Sequence, residues 1–591
     1  MSDRKPLLIY DGRCSFCKIW IEYFKQLTGD RVDYAASQDV GAQYPQIPHQ
    51  AFSRAVQLVR SDGSVICAAR AVFETVEMRK TYESSRLFAG LMETGYRFVA
   101  SHRNLAYHVT RFAFGTHIEP TRFAATQWIF LRLLAVVYAV AFASLGGQIT
   151  GLIGSQGILP LHDFMDAVTK ALGPSRFFAM PTLFWADPSD PMLTGVCWGG
   201  VALAVLLFIG RLERLMLILL FVLYLSCSSA GQDFLQFQWD SLLLETGFLA
   251  IFLGRAQIVD WLFRWLVFRL TFMSGCVKLL SHDPTWRNLS ALDFHFHTQP
   301  LPTVLAWYAD KLPAGFQHFT TAVVLAIEIG APFLIFTPRR MRMFGAWCLI
   351  SLQVLILLTG NYTFFNLLTI ALCVFLFDDQ ALRRFVPQRL RGRPEPYRLS
   401  RVQRAFAGAL AAIVVILGAT RMFESFTGDA PAPLLVLVRV ASPFQIVNSY
   451  GLFATMTTTR PEIIVEGSAD GDNWVPYEFK YKPGDLRRAP RWIAPFQPRL
   501  DWQMWFAALG NYRQNLWFVG FVARLLEASP EVLKLLEKDP FQGNPPRYIR
   551  AMVYEYTFTN EATRKRTGDW WQRKPLGTYL PPVGMKTAGS N

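Results

Sequence analysis

Between Gln127 and Met422 the chain passes through nine apolar stretches, near 127–149, 192–210, 214–231, 233–254, 258–280, 318–337, 342–359, 362–378 and 404–421. A helix needs about 20 apolar residues to cross a bilayer, and several of these stretches reach that length. Backbone polar groups inside lipid must find their partners within the segment that carries them, so such a run leaves helices as the fitting fold. The expectation is a polytopic α-helical membrane bundle of about nine spans. Composition agrees, since 52% of the 591 residues are hydrophobic and 17% are charged, against about 25% charge in an average soluble domain.

The net charge of +15 then calls for no nucleic-acid partner. Arg211 and Arg214, Arg255, Arg339, Arg340 and Arg342, and the run from Arg383 to Arg404 all fall on one side of the alternating spans. Basic loops face the cytoplasm. This places the N-terminus in the cytoplasm and the C-terminal region across the membrane, with membrane lipid as a partner. The membrane is the inner membrane in a bacterium and the endoplasmic reticulum in a eukaryote. MSDRKPLLIYDG lacks the long apolar core of a secretory signal, so none is expected. Three regions follow: 1–115, 116–422 and 423–591.

Residues 1–115 alternate as a small α/β domain. LLIYDG reads as a buried strand, CKIWIEYFKQL as an amphipathic helix and VDYAA as a second strand. AVQLV and SVICAA form a hairpin about the turn RSDG, and helix follows. That order suits a thioredoxin-like fold. Cys14 and Cys17 open the first helix, where unpaired N–H groups and the helix dipole stabilise a thiolate. A Cys three residues on can resolve a mixed disulfide. The alternative is a structural pair. Asp11, Cys14 and Cys17 after a buried strand resemble the DCC family of thiol-disulfide oxidoreductases (DUF393). That resemblance implies protein-disulfide oxidoreductase activity, with a redox-active disulfide and no other evident cofactor. Pro48 does not precede a clear strand, so the cis-Pro of thioredoxins is not identified. Cys197, Cys227, Cys276, Cys348 and Cys373 lie in apolar spans and read either as small buried hydrophobes or as a thiol relay.

The stretch Phe268–Pro302 begins as an apolar helix and ends in a polar, aromatic loop. It carries Lys278, Asp283, Trp286, Asp293, His295 and His297. An ammonium beside lipid is expensive and marks a functional candidate, whereas a lysine at a helix end also snorkels to the interface as an anchor. His295 and His297, at i and i+2, share a side if the backbone is extended. With Asp293 they make a weak metal signal, and no metal is assigned. Within the spans, Asp240 and Glu245 need partners. Arg132 suits one of them, and Glu328 suits Lys278. These residues read as ion pairs locking the bundle or as a polar cavity.

After Met422 the chain reads as a β-rich α+β soluble domain. EIIVEGSADGDNWVPYEFKY gives two strands about a turn and YIRAMVYEYTF another, with helices at RLDWQMWFAALGNY and FVGFVARLLEASPEVLKLL. Trp502, Gln503 and Trp505 are candidate contacts for a client protein, or core.

GSQGILP, SSAGQDFLQFQWDSLLLETGFLAIF, MSGCVKLLSHDPTWRNLSALDFHFHTQPLP, FQIVNSYGLFATMTTTRPEIIVEGSADGDNW and PRLDWQMWFAALG resemble the lipase maturation factor family. The resemblance runs from about residue 115 to Thr559. It implies a membrane-bound maturation and folding factor, a chaperone for an exported client such as a lipase. Gly275, Lys278, Asp283 and Trp286 also resemble the horizontally transferred transmembrane domain (HTTM) family, which includes vitamin K-dependent γ-carboxylase. That second resemblance implies an alternative: a membrane enzyme with Lys278 as base on a lipid-soluble or protein substrate.

Overall fold

The structure, a computed structural model, describes residues 5–115, 118–119, 123–388 and 399–585. The chain divides into two compact units. One comprises Met1–Arg122, Phe336–Phe344 and Asp378–Gln380; the other comprises Phe123–Ile335, Gly345–Phe377 and Ala381–Asn591.

In the first unit, β1 (Leu7–Tyr10) leads into α1 (Ser15–Thr28), followed by β2 (Asp33–Ala36), β3 (Gln57–Val59) and β4 (Val65–Cys67). The sheet order is β2-β1-β3-β4. β1 runs parallel to β2 and antiparallel to β3, and β4 pairs antiparallel with β3. Adjacent residues on a pleated strand point to opposite faces. Leu8 accordingly packs with Ile21, Val32, Leu58 and Ala71, and Ile9 with Ile47, Phe52 and Val59. The β3–β4 turn places Gly63 at φ 84°, which glycine adopts without a Cβ clash. Pro48 precedes a short helix, His49–Arg54. Two helices close the region: α2 (Arg86–Ser101) and α3 (Arg103–Phe114), separated by His102 alone.

Among the described residues, six helices are long and apolar enough to cross a membrane. They include α4 (Ala124–Gly146), α5 (Asp190–Ile209) and α6 (Glu213–Ala230). The others are Ala314–Phe336, Arg339–Thr359 and Arg401–Thr427. The count is seven if Phe365–Leu376 and Asp379–Phe385, bent by 118°, form one span. By length and composition the described residues thus give fewer than the expected nine, for physical reasons. The stretch 233–254 forms α7 (Gln238–Ala250), whose 13 residues reach about 20 Å. The stretch 258–280 forms α8 (Gln257–Leu280), long enough but carrying Asp260, Arg264, Arg269 and Lys278, all buried. These two helices form the polar interior of the second unit. The stretch 362–378 breaks at the bend.

After α8 come α9 (Ala291–Thr298), α10 (Ala314–Gly330) and α11 (Arg401–Thr427). A four-stranded sheet follows, built from β5 (Pro461–Ser468), β6 (Val475–Pro476), β9 (Tyr548–Phe558) and β10 (Trp571–Gly584) in the order β10-β9-β5-β6. β7 (Glu478–Phe479) and β8 (Leu536–Lys538) pair separately, and α12 (Arg499–Ala508) and α13 (Leu516–Leu526) lie between them in sequence. Sequence alternation does not reveal β10, because its register shifts between Pro575 and Gly577 and again before Val583. Leu292, Phe296, Ala306 and Trp307 from the loop region pack against Ile464, Tyr556, Phe558 and Trp571 of the sheet. The sheet and the region between α8 and α10 thus share one core.

Candidate functional site

Two carboxylates in α7, Asp240 and Glu245, are fully buried. The Arg499 guanidinium, at the start of α12, donates to both Asp240 oxygens at 2.9 and 3.1 Å, and also to the Phe234 carbonyl at 2.6 Å. The Tyr224 hydroxyl donates to the same carboxylate. Glu245 pairs with Arg269 of α8 and accepts from the Asn448 N–H at 2.9 Å and the Tyr450 hydroxyl at 2.7 Å. Each carboxylate thereby gains an arginine and further donors, the condition under which a buried pair is tolerated.

The expected partner of these acids does not reach them. Arg132 sits over the α5–α6 turn, 2.7 Å from Glu213, where a Cβ on Gly210 would meet its guanidinium. Sequence reasoning missed Arg269 and Arg499. Both stood in view, one beside Arg264 inside an apolar run and the other opening PRLDWQMW.

Lys278 does meet Glu328. Its Nζ lies 2.7 Å from Glu328 Oε2, donates to the Ser274 carbonyl at 3.0 Å and stands 5.2 Å from the Trp286 ring centroid. Beside the pair is a cavity of about 60 Å³, lined in part by Thr271, Gln353, Tyr362 and Phe453. The Tyr362 hydroxyl stands 3.4 Å from His295 Nε2, with the two rings nearly parallel. Burial, with the charges of Lys278 and His297, pushes the His295 pKa down to about 4. Small-molecule sites typically enclose about 300–1,000 Å³, so this cavity admits water-sized groups.

The loop after α8 is tied to the C-terminal region. Asp283 accepts from the Thr285 N–H at 2.7 Å and the Met456 N–H at 2.8 Å, and Trp286 Nε1 donates to the Phe453 carbonyl at 3.0 Å. His295 and His297 occupy a helix, α9, and not the extended chain that would align them. Two residues apart on a helix, they face different ways. His297 pairs with Asp310 at 2.8 Å and Asp293 with His318 at 3.0 Å. Among the described residues, no cluster of three His, Cys, Asp or Glu could hold a metal.

Arg460, unsuspected from sequence and fully buried, donates to the carbonyls of His297 at 2.9 Å, Gln299 and Pro300 at 2.7 Å. Its charge is met by Glu462, which also faces Lys482 at 3.0 Å. GSQGILP lies in a similar joint: its Gln156 carbonyl accepts from the Ser529 hydroxyl at 2.7 Å and its Gly157 carbonyl from Arg524 Nε at 2.9 Å. The client-contact reading of Trp502, Gln503 and Trp505 fails for the unit as folded, because all three are buried. Trp502 packs edge-on against Trp239, Gln503 donates to the Asp233 carbonyl, and Trp505 Nε1 donates to the Thr298 carbonyl at 2.9 Å.

In the first unit, Cys14 is the N-cap of α1. Its Sγ accepts from the Cys17 N–H at 3.2 Å and lies 2.6 Å from Cys17 Sγ. Hydrogen bonding from the Cys17 thiol, with help from its N–H and from the Arg103 charge, lowers the Cys14 pKa to about 6 against burial. The Cys17 pKa is pushed up by its bond to Cys14 and by burial. One thiol is thus poised as a thiolate and the other as its proton-bearing partner. Arg103 also pairs with Asp11 at 3.2 Å. Asp11, Cys17, Tyr96 and Arg103 line a cleft of about 40 Å³. The span cysteines are dispersed except for Cys197 and Cys227, which are buried and hydrogen-bonded to each other.

The second unit is that of an integral membrane protein whose polar interior is closed by its own C-terminal region. Residues 125–384 match the lipase maturation factor transmembrane domain, and residues 446–581 match the lipase maturation factor C-terminal domain. Lipase maturation factor 2 of Xenopus tropicalis is 35% identical, over 77% of this chain and 82% of the relative. The Homo sapiens lipase maturation factor 2 is 33% identical, over 77% and 82%. Lipase maturation factor 1 of Bos taurus is 34% identical, over 78% and 90%. The chain belongs to the lipase maturation factor family. No solved structure matches it. Residues before 125, including Cys14 and Cys17, lie outside both matched domains.

Proposed function

We propose that this chain is a membrane-embedded maturation factor that brings exported proteins, lipases first among them, to their active folded state. The carrying observation is the family relationship, which extends over both the membrane and the C-terminal domains. The buried charge pairs suit this reading, since they fix a C-terminal platform onto the spans. On the sidedness argued from basic loops, that platform faces the compartment into which clients are exported, and residues 1–115 face the cytoplasm.

The N-terminal unit adds a thiol-redox function. Its β2-β1-β3-β4 order suits a thioredoxin-like domain, and the Cys14 thiolate suits a nucleophile. Attack on a substrate disulfide forms a mixed disulfide and releases one substrate thiolate. Cys17, deprotonated, then displaces the second, leaving a Cys14–Cys17 disulfide and a reduced substrate. In a reducing cytoplasm this serves a separate substrate from the exported client.

The enzyme reading, with Lys278 as base, requires Lys278 to leave Glu328 and the small cavity to enlarge. The deciding experiment complements null cells with wild type, Lys278→Gln or Cys14→Ser/Cys17→Ser at matched protein levels and measures active secreted lipase. Normal secretion by the null itself would overturn the maturation reading. Failure of the lysine allele alone, in folded protein, would move the enzyme reading ahead.

A further inference from the structure

Helices α2 and α3 leave an apolar stripe uncovered. Leu87, Leu91, Phe98, Leu105, Val109 and Phe112 recur at helical spacing across both helices and are all exposed, Leu87 by 75% and Phe112 by 69%. The other side is used: Tyr96 accepts the Val56 N–H at 3.0 Å, and Thr110 and Ala113 are buried. A patch this long on a soluble surface marks an interaction site. Its charge indicates the partner. Residues 86–114 contain four arginines and one glutamate. Glu93 is turned inward to Tyr82 and the Arg70 N–H, and Arg103 to Asp11. Arg86, Arg97 and Arg111 remain exposed beside the stripe.

We propose that the α2–α3 face lies in the interface of an anionic phospholipid bilayer, its apolar side chains among the acyl chains and its arginines at the phosphates. An amphipathic helix with an apolar side and basic flanks has this preference. A second copy of the chain is disfavoured as the occupant, because self-pairing would set arginine rows against each other. Chain connectivity supplies the tether. Nine residues separate Phe114 from α4, a reach of at most about 30 Å.

The test uses the full chain in vesicles of phosphatidylcholine, with or without phosphatidylglycerol. The photo-crosslinking residue p-benzoylphenylalanine is placed at Phe98 or Phe112, both exposed, so that folding is unaffected. Leu206 in α5 serves as the lipid-facing control, and Asp62, at the β3–β4 turn, as the aqueous one. The expected result is lipid adducts at Phe98 and Phe112, raised by phosphatidylglycerol, reduced by high salt and absent at Asp62. Leu91→Glu/Leu105→Glu should abolish them while leaving the Leu206 adduct. Cross-linked dimers, equal yield without phosphatidylglycerol, or no lipid adduct while Leu206 reacts would each overturn the proposal.

Discussion

Glu245, in the interior of the membrane bundle, accepts the backbone N–H of Asn448 at 2.9 Å across 203 positions of sequence. The acceptor is a carboxylate already bound to Arg269, and the donor belongs to the segment leading into the C-terminal sheet. A charge that looks like a membrane feature is thus satisfied in part by residues that follow, in sequence, the last helix long and apolar enough to span. The same relationship recurs at Asp240 and Asp283, and it determines how variants should behave.

Removing one member of a buried pair strands the other, at a cost of about 3–5 kcal/mol. Arg499→Met and Asp240→Asn should each lower the thermal midpoint of the detergent-solubilised protein and its level in membranes. Asp240→Leu/Arg499→Met should recover most of that loss. A double variant as unstable as the sum of the singles would refute coupling between the two.

Lys278→Met and Glu328→Leu should each destabilise, and the pair combined should fold. If the combined variant supports lipase release, Lys278 acts by holding the helices together. If it folds yet releases no active lipase, the ammonium itself is needed.

Trp502→Ala should cost about 3–5 kcal/mol, the range for a large buried side chain, and should lower membrane levels. Trp505→Phe, which loses the bond to Thr298, should cost about 1 kcal/mol. A normal level of Trp502→Ala protein with lost client binding would restore Trp502 as a contact residue.

Burial, with the charges of Lys278 and His297, holds the His295 pKa at about 4, below the 6.5 of a free imidazole. Between those values the unfolded state binds more protons, so folding stability rises with pH and is lost as pH falls through the window. His295→Gln should reduce the pH slope by up to one proton. An unchanged slope between pH 4 and 6.5 would contradict this.

Cys14 titrates near 6 against a reference of 9. Its folded pKa is depressed, so its contribution to stability grows from pH 6 to 9 and is lost as pH falls through 6. Alkylation of reduced protein by iodoacetamide should modify Cys14 before Cys17, with a rate midpoint near pH 6. Arg103→Gln should move that midpoint up. A midpoint near 9 would remove the activated thiolate.

Local features were the most readable from sequence. LLIY and the Cys pair announce a strand and a helix start, and Lys278 at the end of its apolar run and Glu328, the one acid in 318–337, point to each other. The partners of Asp240 and Glu245 were harder to find, since Arg499 and Asn448 lie 259 and 203 positions away and no periodicity links them. The nine apolar stretches and the six helices long and apolar enough to span differ where length and charge disagree. α7 is apolar in sequence but short, and α8 is long but carries four buried charges whose partners only the fold supplies. Trp502 and Trp505 could belong to surface or core until Trp239 and the Thr298 carbonyl were seen to cover them.

Arg499 is translated 259 residues after Asp240. At about 5–20 residues per second, the carboxylate waits on the order of 13–52 seconds for its counter-charge. Throughout that time the half-made chain holds an acid without its arginine where lipid-facing helices must pack. Such a nascent chain is a natural substrate for membrane insertases and for the proteases that survey them. A premature stop between Asp240 and Arg499 would leave Asp240 without its arginine permanently, and truncated chains should be cleared soon after synthesis rather than accumulate as a membrane-only fragment.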